Sequence, residues 1–285
     1  MNNRILHSSR ICWVVAFLAI LLFNSCDSDE PISSALLLEI QSKYEQLPEQ
    51  SIVYSKDSTV LALYTNPTRK YNHAILGDGI EAEQLIVAVD DVIYELRLAD
   101  ELVFEDIRPR LFDVDGDGEL EIITLRSHIE NGGGIAIYKI INDQLVEYAY
   151  VPEIGQRFWW MNVVAIGDFD NDGVIELAWI ETPHIGGTLK IAKITSSRLT
   201  AFSEKSEYSN HAINDRNLCL SVVVETPDNN IIYVPTQDRN AIVGFILEGS
   251  MLKEYEFIST SVDFSLPLFS QYNFENVVED LNCIY

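Results

Sequence analysis

The sequence predicts an all-β chain built from repeated four-stranded units, and three observations predict it. Two acidic stretches share one pattern, D-x-D-x-D-G-x-x-E: Asp113-Val-Asp115-Gly-Asp117-Gly-Glu-Leu-Glu121 and Asp168-Phe-Asp170-Asn-Asp172-Gly-Val-Ile-Glu176. The match runs past the acids. Each stretch is followed by an apolar run (Ile122–Leu125, Leu177–Ile180), a His-Ile pair (His128-Ile129, His184-Ile185), a glycine turn and an alternating run ending at Ile140 or Ile194. Weaker copies, Asn72-His73-Ala-Ile75 and Asn210-His211-Ala-Ile213, flank the pair without its acids. β-Branched and aromatic runs bounded by turn residues read as strands. Four of them in about 50 residues is the size of one propeller blade. The expected architecture is therefore a small β-propeller of five blades, alternatively four.

The elements follow in chain order. Arg4 and Arg10 precede an apolar run from Ile11 to Phe23, and small Ser25 precedes Cys26. That run is too short to span a bilayer, which takes about 20 residues. It reads as a secretory signal peptide over residues 1–25, with Cys26 lipidated as in a bacterial lipoprotein. Residues 26–50 are an expected acidic tether with a short helix over 34–44, and residues 51–285 the propeller domain. The acidic start Cys26-Asp-Ser-Asp-Glu30 resembles the export tag of surface lipoproteins, so the chain is expected at the outer membrane, lipid-anchored and surface-exposed, or alternatively periplasmic. Residues 52–54 and 60–64 form a strand pair without a start, expected to complete the last blade and close the ring. Leu145 to Val151 and Leu199 to Phe202 are the expected fourth strands of the two acidic repeats. Residues 220–224, 231–234 and 241–246 supply a last set.

Carboxylates at alternate positions, closed by a turn glycine and a later Glu, suit a hard cation that takes six to eight oxygens. An EF-hand shares the opening of the pattern but needs a bidentate Glu at position 12 and a helix on each side. Position 12 is Thr124 in one copy and Trp179 in the other, and the flanks read as strands. The closing acid falls instead at position 9, as Glu121 and Glu176.

"LFDVDGDGELEIITL" and "AIGDFDNDGVIELAWI" resemble the FG-GAP / VCBS repeat proteins, whose blades carry this acidic loop between their first two strands. The resemblance implies a propeller and two calcium ions. One would be held by Asp113, Asp115, Asp117, Glu121 and the carbonyl of Glu119. The other would be held by Asp168, Asp170, Asp172, Glu176 and the carbonyl of Val174. The outer repeats lack the acids, so the resemblance places no calcium there. Such loops spend their oxygens on the metal, so they are expected to stabilise blades, with function on a face built from several blades.

Composition narrows the partners. The formal net charge is −25, and removing the signal segment with its two arginines makes it more negative. That argues against nucleic acid and against an anionic bilayer, leaving the lipid anchor as the expected membrane contact. Neither G-x-S-x-G nor H-E-x-x-H nor a phosphate loop occurs. His128, His184, Trp159 and Trp160 are the candidate residues for a ligand face; their structural alternatives are bonding to neighbouring backbone for the histidines and blade-to-blade packing for the tryptophans. Cys219 and Cys283 can pair in an oxidising compartment. The functional expectation is a non-enzymatic module that binds a glycan or a protein. The alternative is a surface polysaccharide lyase or hydrolase, with an acid/base cluster in one pocket as the discriminator.

Overall fold

Period-two burial assembles this protein, since successive side chains of a strand face opposite sides of its sheet. In the computed structural model, which describes residues 31–278, the inner strands of the sheets are buried on both faces, whereas the outer strands expose one. Helix α1 (Ser34–Lys43) leads, N-capped by the Ser33 hydroxyl, which accepts from Leu36 N at 3.2 Å. The strands then fall into four antiparallel meanders. The first is β1 (Ile52–Tyr54), β2 (Val60–Thr68), β3 (Glu81–Val89) and β4 (Val92–Arg97). A linking strand β5 (Leu102–Phe104) pairs with both β3 and the next meander. The second meander is β6 (Arg110–Phe112), β7 (Glu121–His128), β8 (Gly132–Ile141) and β9 (Gln144–Val151). The third comprises β10 (Met161–Gly167), β11 (Glu176–Glu181) and β12 (Thr188–Lys193). The two-residue strand β13 (Ser197–Arg198) then leaves it, and β14 (Ser203–Ser206) completes it. The fourth is β15 (Val222–Glu225), β16 (Asn230–Pro235), β17 (Ala241–Glu248) and β18 (Met251–Ser259), followed by the short helix α2 (Leu268–Gln271).

Alternation decides how the meanders stack. Leu61 and Leu63 face α1, where Leu36, Ile40 and Tyr44 cover them, whereas Ala62 and Tyr64 face the second meander. Ile122 and Tyr138 return that contact; Ile123 and Ile137 face the third meander against Val163, Leu177 and Trp179. Ala178 and Ile191 pack on Val243 and Phe245 of the fourth, whose far face is covered by Val262, Phe264 and Leu268. Each fully buried Leu, Ile or Phe contributes about 1.5–3 kcal/mol, and that repeated burial holds the array. The first and fourth meanders also meet through loops: Asn214 N donates to Ile75 O at 2.9 Å, and Arg216 pairs with Asp78 and with Glu49 (3.5 Å).

Three sequence expectations come out differently. Four meanders form among the described residues, the alternative count rather than the first-choice five. The strand pair at 52–54 and 60–64 belongs to the first meander, because Leu61 to Thr65 pair with Gln84 to Ala88; it does not complete the last one. Leu199 to Phe202 is not a strand. β13 pairs in parallel with β9 instead, Leu199 N donates to Tyr150 O at 2.7 Å, and Leu199 is buried between the second and third meanders. That detour shifts the fourth strand to Ser203–Ser206. The segment expected as tether contributes α1, seated on the first sheet as a cap. The signal segment and Cys26 lie outside the described residues.

Candidate metal centres and a histidine cluster

The two acidic loops adopt one backbone plan. They join β6 to β7 and β10 to β11, the first connection of their meanders. Gly116 and Gly118 have φ of 75° and 89°; the equivalents Asn171 and Gly173 have 58° and 83°. Glycine takes this left-handed region freely, and Asn is among the few others that tolerate it. The first Asp organises each turn: Asp113 accepts from Gly116 N (2.7 Å) and Gly118 N (3.0 Å), and Asp168 from Asp172 N (3.1 Å) and Gly173 N (2.8 Å). The last Glu folds back. Glu121 Oε2 accepts from Val114 N, and Glu176 Oε2 from Phe169 N, each at 2.8 Å. Val114 and Phe169 are themselves buried and pin the loops to the cores beneath.

This leaves Glu121 Oε1 and Glu176 Oε1, on fully buried residues, with no hydrogen-bond donor. Asp113, Asp115 and Glu121 each place one oxygen within 4.8 Å of the others, and so do Asp168, Asp170 and Glu176. A buried acceptor that takes no hydrogen bond is costly unless a cation faces it. Three converging carboxylates are the donor chemistry of a hard divalent ion. Asp117 and Asp172 stand outside these triplets and cap the turn, accepting from Glu119 N and Val174 N at 2.9 Å each. The electrostatics mark the same residues. Burial raises the Glu121 carboxyl above the usual range and pushes Glu176 up to about 7. Lysine contacts hold Asp117 and Asp172 below it. Those lysines, Lys139 of β8 and Lys193 of β12, were missed in the sequence. Lys139 Nζ lies 2.8 Å from Asp115, 2.6 Å from Asp117 and 3.0 Å from Glu121. Lys193 Nζ lies 3.1 Å from Asp170 and 3.4 Å from Glu176, and also contacts Asp172. The signal that could have found them is a lysine near the end of the alternating run in both repeats.

The histidines do not behave as equivalent pairs. His128 serves its own turn, its Nδ1 facing Glu130 N and Asn131 N at 3.1 and 3.3 Å. His184 instead meets His211: Nε2 lies 2.9 Å from His211 Nδ1, and His211 Nε2 lies 2.9 Å from Asp215 O. A carbonyl can only accept, so His211 carries its proton on Nε2 and accepts from His184 Nε2–H. Burial holds both rings neutral, pulling His184 down to about 3 and His211 to about 4. Trp160, fully buried, stacks on His184 at 6.1 Å and 10°, and donates from Nε1 to Glu105 O at 3.2 Å. Neighbouring Trp159 points outward and is 42% exposed.

A second chain of contacts, also missed in the sequence, lies alongside. His73 Nδ1 is 2.6 Å from Glu105 Oε1, and Ser127 Oγ donates to Glu105 Oε2 at 2.5 Å. Burial raises the Glu105 carboxyl even against these partners. His73 stacks on Phe158 at 4.9 Å. Phe158 is held at φ 65°, a strained value for a bulky side chain, with its N–H donating to Tyr71 Oη at 3.0 Å. The glycines near this segment are obligatory: a Cβ on Gly132 would sit 2.2 Å from Gln156 O and 2.5 Å from Trp159 O. Cys219 is disulfide-bonded; Cys283 lies outside the described residues.

Comparison with known proteins adds one positive finding. Residues 113–179, spanning both acidic loops, match the FG-GAP-like repeat. No curated protein matches the chain. Among solved structures, a candidate 6-phosphogluconolactonase from Bacteroides fragilis is 16% identical, over 76% of this chain and 58% of that one, with a TM-score of 0.44. A rhamnogalacturonan lyase from Bacillus licheniformis is 11% identical over 62% of this chain and 42% of that one, with a TM-score of 0.34. The chain thus spans less than two thirds of either structure.

Proposed function

With an FG-GAP-like repeat at residues 113–179 as premise, we propose that this chain is a calcium-stabilised, propeller-type binding module, its four meanders serving as blades. One observation carries the reading: two loops with the same backbone plan each converge three carboxylate oxygens within 4.8 Å. Asp113, Asp115 and Glu121 would hold one calcium, and Asp168, Asp170 and Glu176 the other. Asp117, Asp172 and the carbonyls of Glu119 and Val174 would complete the shells. Bound calcium supplies charge neutralisation and cross-links the first two strands of its meander. Extracellular calcium modules bind at roughly 10⁻⁴–10⁻³ M, so millimolar calcium raises Tm by mass action. Calorimetry on the full chain tests this. Asp115→Asn combined with Asp170→Asn abolishes the calcium-dependent rise, and the absence of any binding heat from the wild type at millimolar calcium would sink the calcium reading.

The ligand face of the proposed module is the turn carrying Phe158 and Trp159. Both residues are 42% exposed; Tyr71 and His73 pack against the Phe158 ring, and Arg157 lies over it at 4.6 Å. Exposed aromatic side chains beside a cation suit a glycan or a protein loop. A second reading, an enzyme acting on polysaccharide, draws on the imidazole of His73 paired with the buried Glu105 beside that turn. Release of reducing ends by the wild type, lost in His73→Gln, would favour the second reading over the first. Export and lipid anchoring through Cys26 complete the proposal, and the disulfide at Cys219 fits an oxidising compartment. Wild type entering the detergent phase while Cys26→Ser stays aqueous supports the anchor; both proteins staying aqueous refutes it.

A further inference from the structure

Each acidic loop already faces a cation of its own, and it is the same cation in both. Glu176 and Lys193 are direct cross-strand partners in the β11–β12 register. Glu121 and Lys139 stand one step beyond the pair Ile122–Tyr138 of β7–β8, hence in the same relation. Opposite residues on one face of an antiparallel pair lie close enough to interact, so the strand pairing itself delivers an ammonium group to the acid that closes each loop. Each lysine reaches three carboxylates of its loop, two of them among the triplet that converges on the proposed metal position. The buried oxygens Glu121 Oε1 and Glu176 Oε1, which take no hydrogen bond, face these ammonium groups at 3.0 and 3.4 Å. We infer that Lys139 and Lys193 are resident counter-ions that hold the two loops closed without metal and that calcium displaces.

The chemistry supports an exchange. An ammonium is one charge with three donors on a flexible four-carbon stem. It lies against three carboxylates without hydrogen-bonding the buried one and leaves the loop with net negative charge, whereas calcium brings two charges and accepts more oxygens. The stem lets the ammonium swing out to solvent, and its departure frees the oxygens that the metal needs. The two loops differ in degree. The Lys139 side chain is 10% exposed and lies 5.8 Å from the Tyr148 ring, while Lys193 is 30% exposed. The loop at Asp168–Glu176 therefore yields to calcium first.

This inference rests on the proposed calcium reading, and one set of titrations separates the two. Wild type, Lys139→Met, Lys193→Met, the two combined, and Lys190→Met as the charge-matched control for each single change are titrated with calcium chloride, and their metal-free melting is recorded. Lys190 lies on β12 but pairs with Glu181 at 2.7 Å, away from the loop. The expected result is calcium binding about tenfold tighter in the double variant, equivalent to about 1.4 kcal/mol, with wild-type affinity in the control. The double variant also melts lower without metal and recovers with calcium. Equal calcium affinity in the double variant and the wild type overturns the displacement while leaving the calcium reading standing. Absence of binding in every protein overturns both. Should the double variant fail to fold without metal, each single variant keeps one native loop, and unchanged affinity at the altered loop overturns the inference.

Discussion

The first connection of each meander is built in two ways, and the contrast separates what a turn requires from what a cation requires. In the first meander, β1 and β2 are joined by a short turn that one carboxylate organises: Asp57 accepts from Ser55 Oγ at 2.6 Å, Thr59 N at 3.1 Å and Thr59 Oγ1 at 2.8 Å. In the fourth, Thr226 and Asn229 do the same work without charge: Thr226 Oγ1 donates to Asn229 O at 2.8 Å and accepts from Asn229 N at 3.0 Å. The middle meanders use longer loops that share the four acids of the repeated pattern, bury one of them completely, and bring a lysine against them. Reversal of the chain plainly does not need that arrangement. Like charges so close repel, so the middle loops are organised around a counter-charge, and the outer turns show what remains when none is needed.

Two further experiments sharpen the contrast, the larger effect first. The His184–His211 pair lies where the third meander, with its acids, leads into the fourth, without them. Folding lowers the affinity of both rings for protons, so the unfolded chain binds more protons between the ordinary histidine value and the folded one. Stability is therefore complete above about pH 6.5 and falls as the pH drops toward 4. For His211 alone the loss down to pH 4.5 is about 2 kcal/mol. Urea denaturation checks it: the wild type loses that much more than His211→Gln between pH 7 and 4.5, in the presence and absence of calcium alike. Parallel pH profiles would count against the neutral pair. The smaller effect belongs to the first turn. Asp57→Ala costs roughly 0.5–1 kcal/mol through lost hydrogen bonds, and the loss is the same with and without millimolar calcium. A calcium-dependent loss would erase the distinction between outer turns and middle loops.

The acidic loops were legible in the sequence because their contacts are local. Asp113 to Glu121 and Asp168 to Glu176 fix their geometry within nine positions, and the glycine and asparagine sites follow from that spacing. Strands with two apolar faces were equally plain. Contacts made across the fold were not. His128 and His184 occupy matching positions, yet His184 meets His211 from a distant segment while His128 serves its own turn. Trp159 and Trp160 are adjacent, and extended backbone sends one to solvent and the other into the core. Asp106, bonded to Arg110 at 2.6 Å and to Tyr64 Oη at 2.9 Å in a fully buried group, carries no motif at all. The choice between five groups and four stayed open for a similar reason: whether residues 52–64 join the first or the last meander depends on register, which the pairing of β2 with β3 decides.

The contact between the first and fourth meanders also bears on the order of assembly. Every meander consists of neighbouring hairpins, and adjacent meanders pack through faces made by consecutive stretches of chain. The junction of Asn214 with Ile75 and of Arg216 with Asp78 is different, since it joins segments far apart in sequence, with Ile75, Leu76 and Leu218 buried in one cluster beside the polar contacts. Closing so long a loop carries an entropy cost that local pairings do not. The array can thus form progressively from its amino end, with α1 shielding the first exposed face before the last meander exists. The junction closes late, and its closure seats Ile75, Leu76 and Leu218 on the core shared by the second and third meanders.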